Sequence, residues 1–173
     1  MFVTLKDIRD HSPCVAGWNL LLSHLKKCRA DTEPLSLKTI LESNGLDDAL
    51  WCLRALEGYV REKRLYAVWC AQQVQHLDPK LAEFLKLTEK YTNNYICGSL
   101  LGSYDELLTT LEYPHLIYHL IDSDASVAAR STANEALFLS TLRVCSGEEY
   151  VAIQSKVRSA QEAKFIQEFC KGE

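Results

Sequence analysis

Long apolar runs are missing from the 173-residue sequence, and no run approaches the roughly 20 residues that a membrane-spanning helix requires. The first ten residues include Lys6, Asp7 and Arg9, so they lack the apolar core of a signal peptide. Paired-cysteine motifs are missing too, because the seven cysteines include no C-x-x-C. Unpaired thiols persist in reducing compartments. We therefore expect a cytoplasmic protein with no membrane partner.

Strand signals and catalytic motifs are equally scarce. No segment keeps a sustained period-2 alternation, and no Gly-rich loop could cradle a phosphate. A G-x-S-x-G nucleophile turn is missing. The apolar neighbours of Cys52 and Cys70 indicate buried thiols rather than nucleophiles. These absences predict a protein without catalytic residues and without a cofactor.

Charge of one sign is not concentrated anywhere in the chain. There are 19 basic and 23 acidic residues, which give a net charge of −4. A duplex-binding domain gathers Lys and Arg on one face, because its affinity comes from the release of phosphate counterions. Here Arg61, Lys63 and Arg64 surround Glu62, and we expect this group on a solvent-facing side of its helix. Nucleic-acid binding is therefore the least favoured function, and a mixed, mildly acidic surface favours protein partners.

Helix boundaries, by contrast, are marked throughout the chain. Ser12-Pro13 and Asp78-Pro79 each place a capping residue before a proline at the first helical position. The predicted helices cover residues 13–27, 36–43, 46–56, 60–77, 79–95, 103–112, 114–121, 125–144 and 147–170. We therefore predict an all-α fold. It is one compact domain over residues 1–173, with eight or nine short-to-medium helices in an orthogonal or layered bundle.

Two of these helices have informative apolar patterns. In the helix predicted over residues 60–77, more than half of the circumference is apolar, so we expect this helix to be central. In the last helix, apolar residues repeat at 3–4 spacing, at Tyr150, Ile153, Val157, Ala160, Ala163, Ile166 and Cys170. This spacing predicts one long helix.

The pair His115 and His119 is the best candidate for a metal site. Histidines four apart on a helix project from the same face and can share an ion. Asp122 would complete a ligand set of two histidines and one carboxylate. The alternative is an ordinary polar helix face, with Leu116 and Ile117 packed inward. The metalloprotease pattern requires Glu where this chain has Leu116, so the sequence favours the alternative and predicts no bound metal.

Tyrosine is concentrated between residues 91 and 119. Its side chain offers a large rigid contact area with a polar tip, which is common in protein interfaces. We therefore expect a protein-binding surface that includes Tyr91, Tyr95, Tyr104, Tyr113 and Tyr118. The alternative is that these tyrosines are half-buried in ordinary contacts of the fold.

Residues 34–77 read PLSLKTILESNGLDDALWCLRALEGYVREKRLYAVWCAQQVQHL, with GLDDALWCLR as the most distinctive part. This segment resembles a group of uncharacterised small helical proteins from tailed phages and bacterial prophages. The earlier CVAGW is similar to the opening of the same group, as are, more weakly, AAR at 128–130 and AQEAKFI at 160–166. The resemblance implies a phage or prophage origin, and so the cytoplasm of a bacterial host, with no established activity.

Three functional hypotheses remain. The first is a non-catalytic phage accessory protein that binds a host or phage protein and inhibits a host defence or regulatory system. The second is a metal-dependent enzyme that uses His115, His119 and Asp122. The third is a structural or self-assembling helical protein.

Overall fold

The computed structural model describes residues 1–91, 111–142, 144 and 146–171. In this part of the chain it contains nine α-helices, two short 3-10 turns and one two-stranded sheet. The strands are β1 (Phe2–Thr4) and β2 (Pro34–Ser36). The helices are α1 (Leu5–Asp10), α2 (Val15–Leu25), α3 (Leu37–Asn44), α4 (Leu46–Cys52), α5 (Val60–Gln72), α6 (Pro79–Tyr91), α7 (Pro114–Leu120), α8 (Ala125–Thr141) and α9 (Gly147–Phe169). The all-α prediction is confirmed, and the helix predicted over 103–112 lies outside the described residues.

These elements form two compact units. The first comprises Met1–Tyr59 together with Glu162–Glu173, and the second comprises Val60–Gln161. The division falls inside α9, so its last turns belong to the first unit and its earlier turns to the second. One domain over residues 1–173 stays a prediction.

In the first unit, each strand leads directly into a helix. β1 and β2 pair antiparallel. At the end of β1, the Thr4 hydroxyl accepts a hydrogen bond from the Asp7 N–H, and the Asp7 carboxylate accepts one from the Thr4 N–H, both at 3.1 Å. Ser36, at the end of β2, caps α3 through its hydroxyl. Three-residue strands are too short to show an alternating pattern, so neither strand was predicted.

The core of the first unit is built mainly from leucine and isoleucine side chains. α3 packs against α4 and against α2. Fully or almost fully buried side chains include Leu5, Ile8, Leu21, Leu37, Ile40, Leu50, Leu53, Phe165 and Phe169. Burying one such side chain contributes roughly 1.5–3 kcal/mol, so these residues supply the main driving force for folding this unit.

α5 is the central helix of the second unit, as the sequence predicts. It packs most extensively against α8 and also contacts α6 and α7. The buried residues of α8 are nearly all small, namely Ala125, Ser126, Ala128, Ala129, Thr132, Ala133, Ala136, Leu139 and Thr141. On α5, Tyr66, Ala67 and Ala71 are fully buried. Short side chains at the contact let two helix axes approach closely.

The described cysteines divide into buried and exposed thiols. Cys52 and Cys70 are buried, as predicted, and so is Cys170, whereas Cys14 and Cys28 are exposed. Burial raises the pKa of the Cys52 thiol to about 12. Since the thiolate is the nucleophilic form, Cys52 acts as a small apolar side chain at neutral pH.

Candidate functional site

The predicted tyrosine surface is only partly within the described chain. Tyr95, Tyr104 and the side chain of Tyr91 lie outside the described residues. Tyr118, on α7, is exposed. Tyr113 immediately precedes α7, is half-buried, and its hydroxyl donates to the Glu112 carboxylate at 2.8 Å. An interface shared by all five tyrosines stays a prediction.

The candidate metal ligands lie on and after α7. His115 is exposed and His119 is half-buried. In the loop after α7, the Asp122 carboxylate accepts a hydrogen bond from the Asp124 N–H at 2.8 Å. Among the described residues, no group of three or more His, Cys, Asp or Glu side chains is arranged to hold a metal ion. The geometry therefore gives the metal-dependent hypothesis no support.

Two charged residues expected on a solvent-facing helix side are buried instead. Lys63 and Arg64, on α5, are each 5% exposed. The Nη2 atom of Arg64 donates to the carbonyl oxygens of Asp122 at 2.9 Å and Ser123 at 3.1 Å. Burial lowers the pKa of Lys63, and the negative charge of Asp124 acts in the opposite direction. The prediction was wrong for both residues because the loop after α7 brings the carbonyl oxygens that Arg64 binds, and the charge of Asp124 that acts on Lys63, to the first turns of α5.

The first half of α9 exposes apolar side chains. None of residues 147–160 is buried. Tyr150, Ile153 and Val157 share one side of the helix, and Val151 flanks Tyr150. Val151 is 64% exposed and Tyr150 is 41% exposed. Ile153 and Val157 are half-buried. We call these four residues the α9 surface.

A buried polar network lies one turn after this apolar segment. Gln161 is fully buried, and its Nε2 donates to the Ala133 carbonyl of α8 at 2.8 Å. The Tyr66 hydroxyl of α5 donates to the Gln161 carbonyl at 3.1 Å. Arg158 donates from Nη1 to Gln161 Oε1 at 3.1 Å and from Nη2 to Asn134 Oδ1 at 2.8 Å. Gln161 follows Val157 by one helical turn, so half-buried Ile153 and Val157 and buried Gln161 lie on the same, inward side of α9. The later members of the predicted apolar repeat, Ala160, Ala163 and Ile166, are exposed, so the repeat leaves the packed side there.

The first unit contains an open cleft of about 460 Å³, which we call the acidic–aromatic cleft. It is lined by Phe2, Asp7, Asp10, His11, Ala55, Leu56, Glu57 and Tyr59. Two segments far apart in sequence form it, the β1–α1 segment and the turn after α4. No motif or spacing singles out these residues, because they come together only when β1 and α1 fold beside that turn.

The turn beside the cleft has an unusual backbone. Gly58 and Tyr59 both have left-handed conformations, with φ angles of 73° and 52°. Glycine adopts this conformation readily, whereas a bulky residue such as tyrosine rarely does. The Tyr59 side chain is 45% exposed at the cleft. The turn therefore holds an aromatic ring in contact with solvent rather than in the core.

No helix among the described residues combines the length and apolarity needed to cross a membrane. Comparisons of the chain with protein-family models, with curated proteins and with solved structures find no match, so no relative supplies a function or a site residue.

Proposed function

We propose that this chain is a non-catalytic phage or prophage accessory protein that binds a host or phage protein in the cytoplasm of a bacterial host. The exposed side chains of Tyr150 and Val151, on the first half of α9, carry this proposal. The partner belongs to a host defence or regulatory system, and binding inhibits it. The resemblance of residues 34–77 to phage and prophage proteins supports the origin and the choice of partner.

Three properties of the α9 surface support protein binding. Neighbouring exposed apolar side chains mark interaction sites more often than ordinary surface. Tyr150 provides an aromatic ring with a polar tip, the kind of side chain enriched in interface centres. None of residues 147–160 is buried, so a partner can reach this segment of the helix from solvent.

A capture experiment with matched variants tests the proposal. The wild-type chain and the Val151→Glu variant are immobilised at equal density and incubated with lysate of a bacterial host. Val15→Glu is the control, because Val15 is also strongly exposed, at 75%, but lies on α2. Both substitutions are at exposed helix positions, so we expect stability to change by no more than about 0.5 kcal/mol.

The expected result is a partner whose recovery falls about tenfold with Val151→Glu and is unchanged with Val15→Glu, since loss of a central interface side chain costs roughly 1–2 kcal/mol. Quantitative mass spectrometry measures the recovery. If every captured protein is recovered equally with both variants, the α9 surface does not bind a partner and the proposal fails.

Self-assembly through the same surface is the competing outcome. In that case the molar mass measured by light scattering rises with the concentration of purified chain, and Val151→Glu abolishes the rise. A second copy of the chain would then replace the host protein as the occupant of the α9 surface.

Inhibition of host defence has its own readout. A bacterial strain with active defence against a test phage expresses the wild-type chain, Val151→Glu or Val15→Glu at equal levels. We expect the plating efficiency of the phage to rise with the wild-type chain and with Val15→Glu only. An equal rise with Val151→Glu would separate any anti-defence effect from the α9 surface.

A further inference from the structure

The acidic–aromatic cleft has the charge of a site for a cation. Its lining includes the carboxylates of Asp7, Asp10 and Glu57 and the imidazole of His11, and no Lys or Arg side chain is among the lining residues. One oxygen of Asp7, Oδ2, already accepts hydrogen bonds from the Thr4 N–H and hydroxyl, which leaves Oδ1 for a ligand. Asp7 and Asp10 are three residues apart on α1, so their side chains lie on the same side of that helix. Glu57 belongs to the turn after α4, so the carboxylates come from two segments of the chain.

The aromatic residues of the cleft add a second kind of recognition. Phe2 is 58% exposed, and Phe2 and Tyr59 both line the cleft. A cation over an aromatic face is attracted by the negative charge density of the ring. The same unit already contains such a pair, because the guanidinium of Arg54 lies 4.4 Å from the centre of the Trp51 ring. Exposed rings beside carboxylates therefore favour a ligand that is both flat and positively charged.

We propose that the acidic–aromatic cleft binds an arginine side chain presented by a protein segment. A guanidinium group is planar, so it can stack on Phe2 or Tyr59 while its N–H groups donate to carboxylate oxygens. A lysine ammonium is a compact, strongly hydrated charge that cannot stack in this way. A cleft of about 460 Å³ also leaves room for the residues on either side of the arginine.

One cation of the chain already lies next to this cleft. Lys6 Nζ lies 2.7 Å from the Asp10 carboxylate, and both side chains are well exposed. This hydrogen bond is the main reason that the pKa of Asp10 is below its usual value, so Asp10 is a carboxylate at neutral pH. Exposed ion pairs are weak, so an incoming guanidinium can displace Lys6. Lys6 is then a competitor for the ligand.

An NMR titration of the full chain tests the proposal. The probe is the peptide acetyl-Gly-Gly-Arg-Gly-Gly-amide, and the control peptide contains citrulline, which has nearly the same shape but no charge. With the arginine peptide, we expect saturable shifts of the Phe2, Asp10, Glu57 and Tyr59 amides at about 10 mM peptide or below. With the citrulline peptide we expect no saturable shift. Saturation by both peptides, or by neither, would overturn the proposal.

Matched variants separate recognition by the cleft from general attraction to an acidic protein. Glu57→Gln is expected to weaken binding about fivefold, as for loss of one exposed ion pair. Glu42→Gln makes the same change on the exposed side of α3, away from the cleft, and should leave binding unchanged. Equal weakening by the two variants would show only general attraction and would contradict the proposal.

Two further substitutions test the ring and the competitor. Tyr59→Asn removes the ring and keeps a residue that tolerates a left-handed backbone, so a folded variant with about threefold weaker binding is expected. Lys6→Gln is expected to tighten binding about twofold, because the competing ion pair is lost. An unchanged affinity in both variants would contradict the assigned geometry.

This site is separate from the α9 surface. Its residues all belong to the first unit, whereas the α9 surface belongs to the second. Val151→Glu should therefore bind the arginine peptide as the wild type does. A negative host-lysate experiment would contradict the proposed function but not the arginine site. A negative peptide titration would contradict the arginine site but not the proposed function.

Discussion

Replacing Gln161 with leucine tests whether polar contacts fix the packed side of α9 in the second unit. Gln161 is fully buried, donates to the Ala133 carbonyl and accepts from Arg158. Leucine has a similar size but can make neither hydrogen bond. Each buried hydrogen bond contributes about 1 kcal/mol net, and the added apolar contact of leucine offsets part of that loss. We therefore expect the free energy of unfolding to fall by about 1–2 kcal/mol.

Urea unfolding followed by circular dichroism measures this change. With a slope of about 2 kcal/mol per molar urea, the midpoint of Gln161→Leu should fall by about 0.5–1 M. Gln154→Leu is the matched control on the same helix, because the Gln154 side chain is not buried and donates to the hydroxyl of the exposed Tyr150. Its midpoint should correspond to a change of no more than about 0.5 kcal/mol.

A midpoint for Gln161→Leu at or above that of the wild type would refute this reasoning. It would mean that an apolar side chain fills the position between α5, α8 and α9 better than the hydrogen-bonded amide does. The buried amide of Gln161 would then not be what holds this side of α9 against its neighbours in the second unit.

Three further predictions follow from the described residues. Iodoacetamide at pH 8 should modify the exposed Cys14 and leave Cys52 unmodified until urea unfolds the chain. The reason is that burial raises the pKa of the Cys52 thiol to about 12, and peptide mass spectrometry measures the modification. Elemental analysis of purified chain should find no stoichiometric zinc, iron or manganese, and His115→Ala should leave the metal content unchanged; a metal lost in that variant would revive the enzyme hypothesis. Burial acts to raise the pKa of Asp124, but hydrogen bonds from Ser126 and Val127 and the charge of Lys63 hold it below the ordinary 3.8. The ionised Asp124 carboxylate therefore stabilises the fold above pH 3.8, and this contribution is lost as the pH falls. In thermal unfolding, the stability advantage of wild type over Asp124→Asn should shrink below that pH. An unchanged advantage would contradict this.

Helix positions were largely predictable because their signals are local, with two exceptions: α1 was not predicted, and α2 begins at Val15 with Cys14 as its capping residue rather than after Ser12-Pro13. Ser36 caps α3 through its own hydroxyl, and Gly45, with a φ angle of 81°, follows the end of that helix. The central position of α5 also followed from its wide apolar side. Each of these features depends on residues within a few positions of one another, so a single sequence displays them.

The polar part of the packed side of α9 and the acidic–aromatic cleft were not predictable for the opposite reason. The Gln161 side chain is inward where the Ala133 carbonyl of α8 accepts its hydrogen bond, and that partner is tens of residues away in sequence. Likewise, Phe2 and Tyr59 line the same cleft although they lie near opposite ends of the segment Met1–Tyr59. Two adjacent basic residues such as Lys63 and Arg64 are usually solvated. The carbonyl oxygens that Arg64 binds belong to Asp122 and Ser123, which are distant in sequence, so only the fold shows them.

The small buried residues of α8 limit how this sequence can diverge. With alanine at 128, 129, 133 and 136, the space beside the helix is already occupied by its neighbours, and a branched or aromatic replacement would force the neighbouring backbone outward. Amino-acid substitutions that accumulate in α8 during evolution are therefore confined to its outer side, where Phe138 is exposed. A distant homologue could change that outer side beyond recognition and still keep the four alanines, which makes their spacing a better guide to kinship than overall identity.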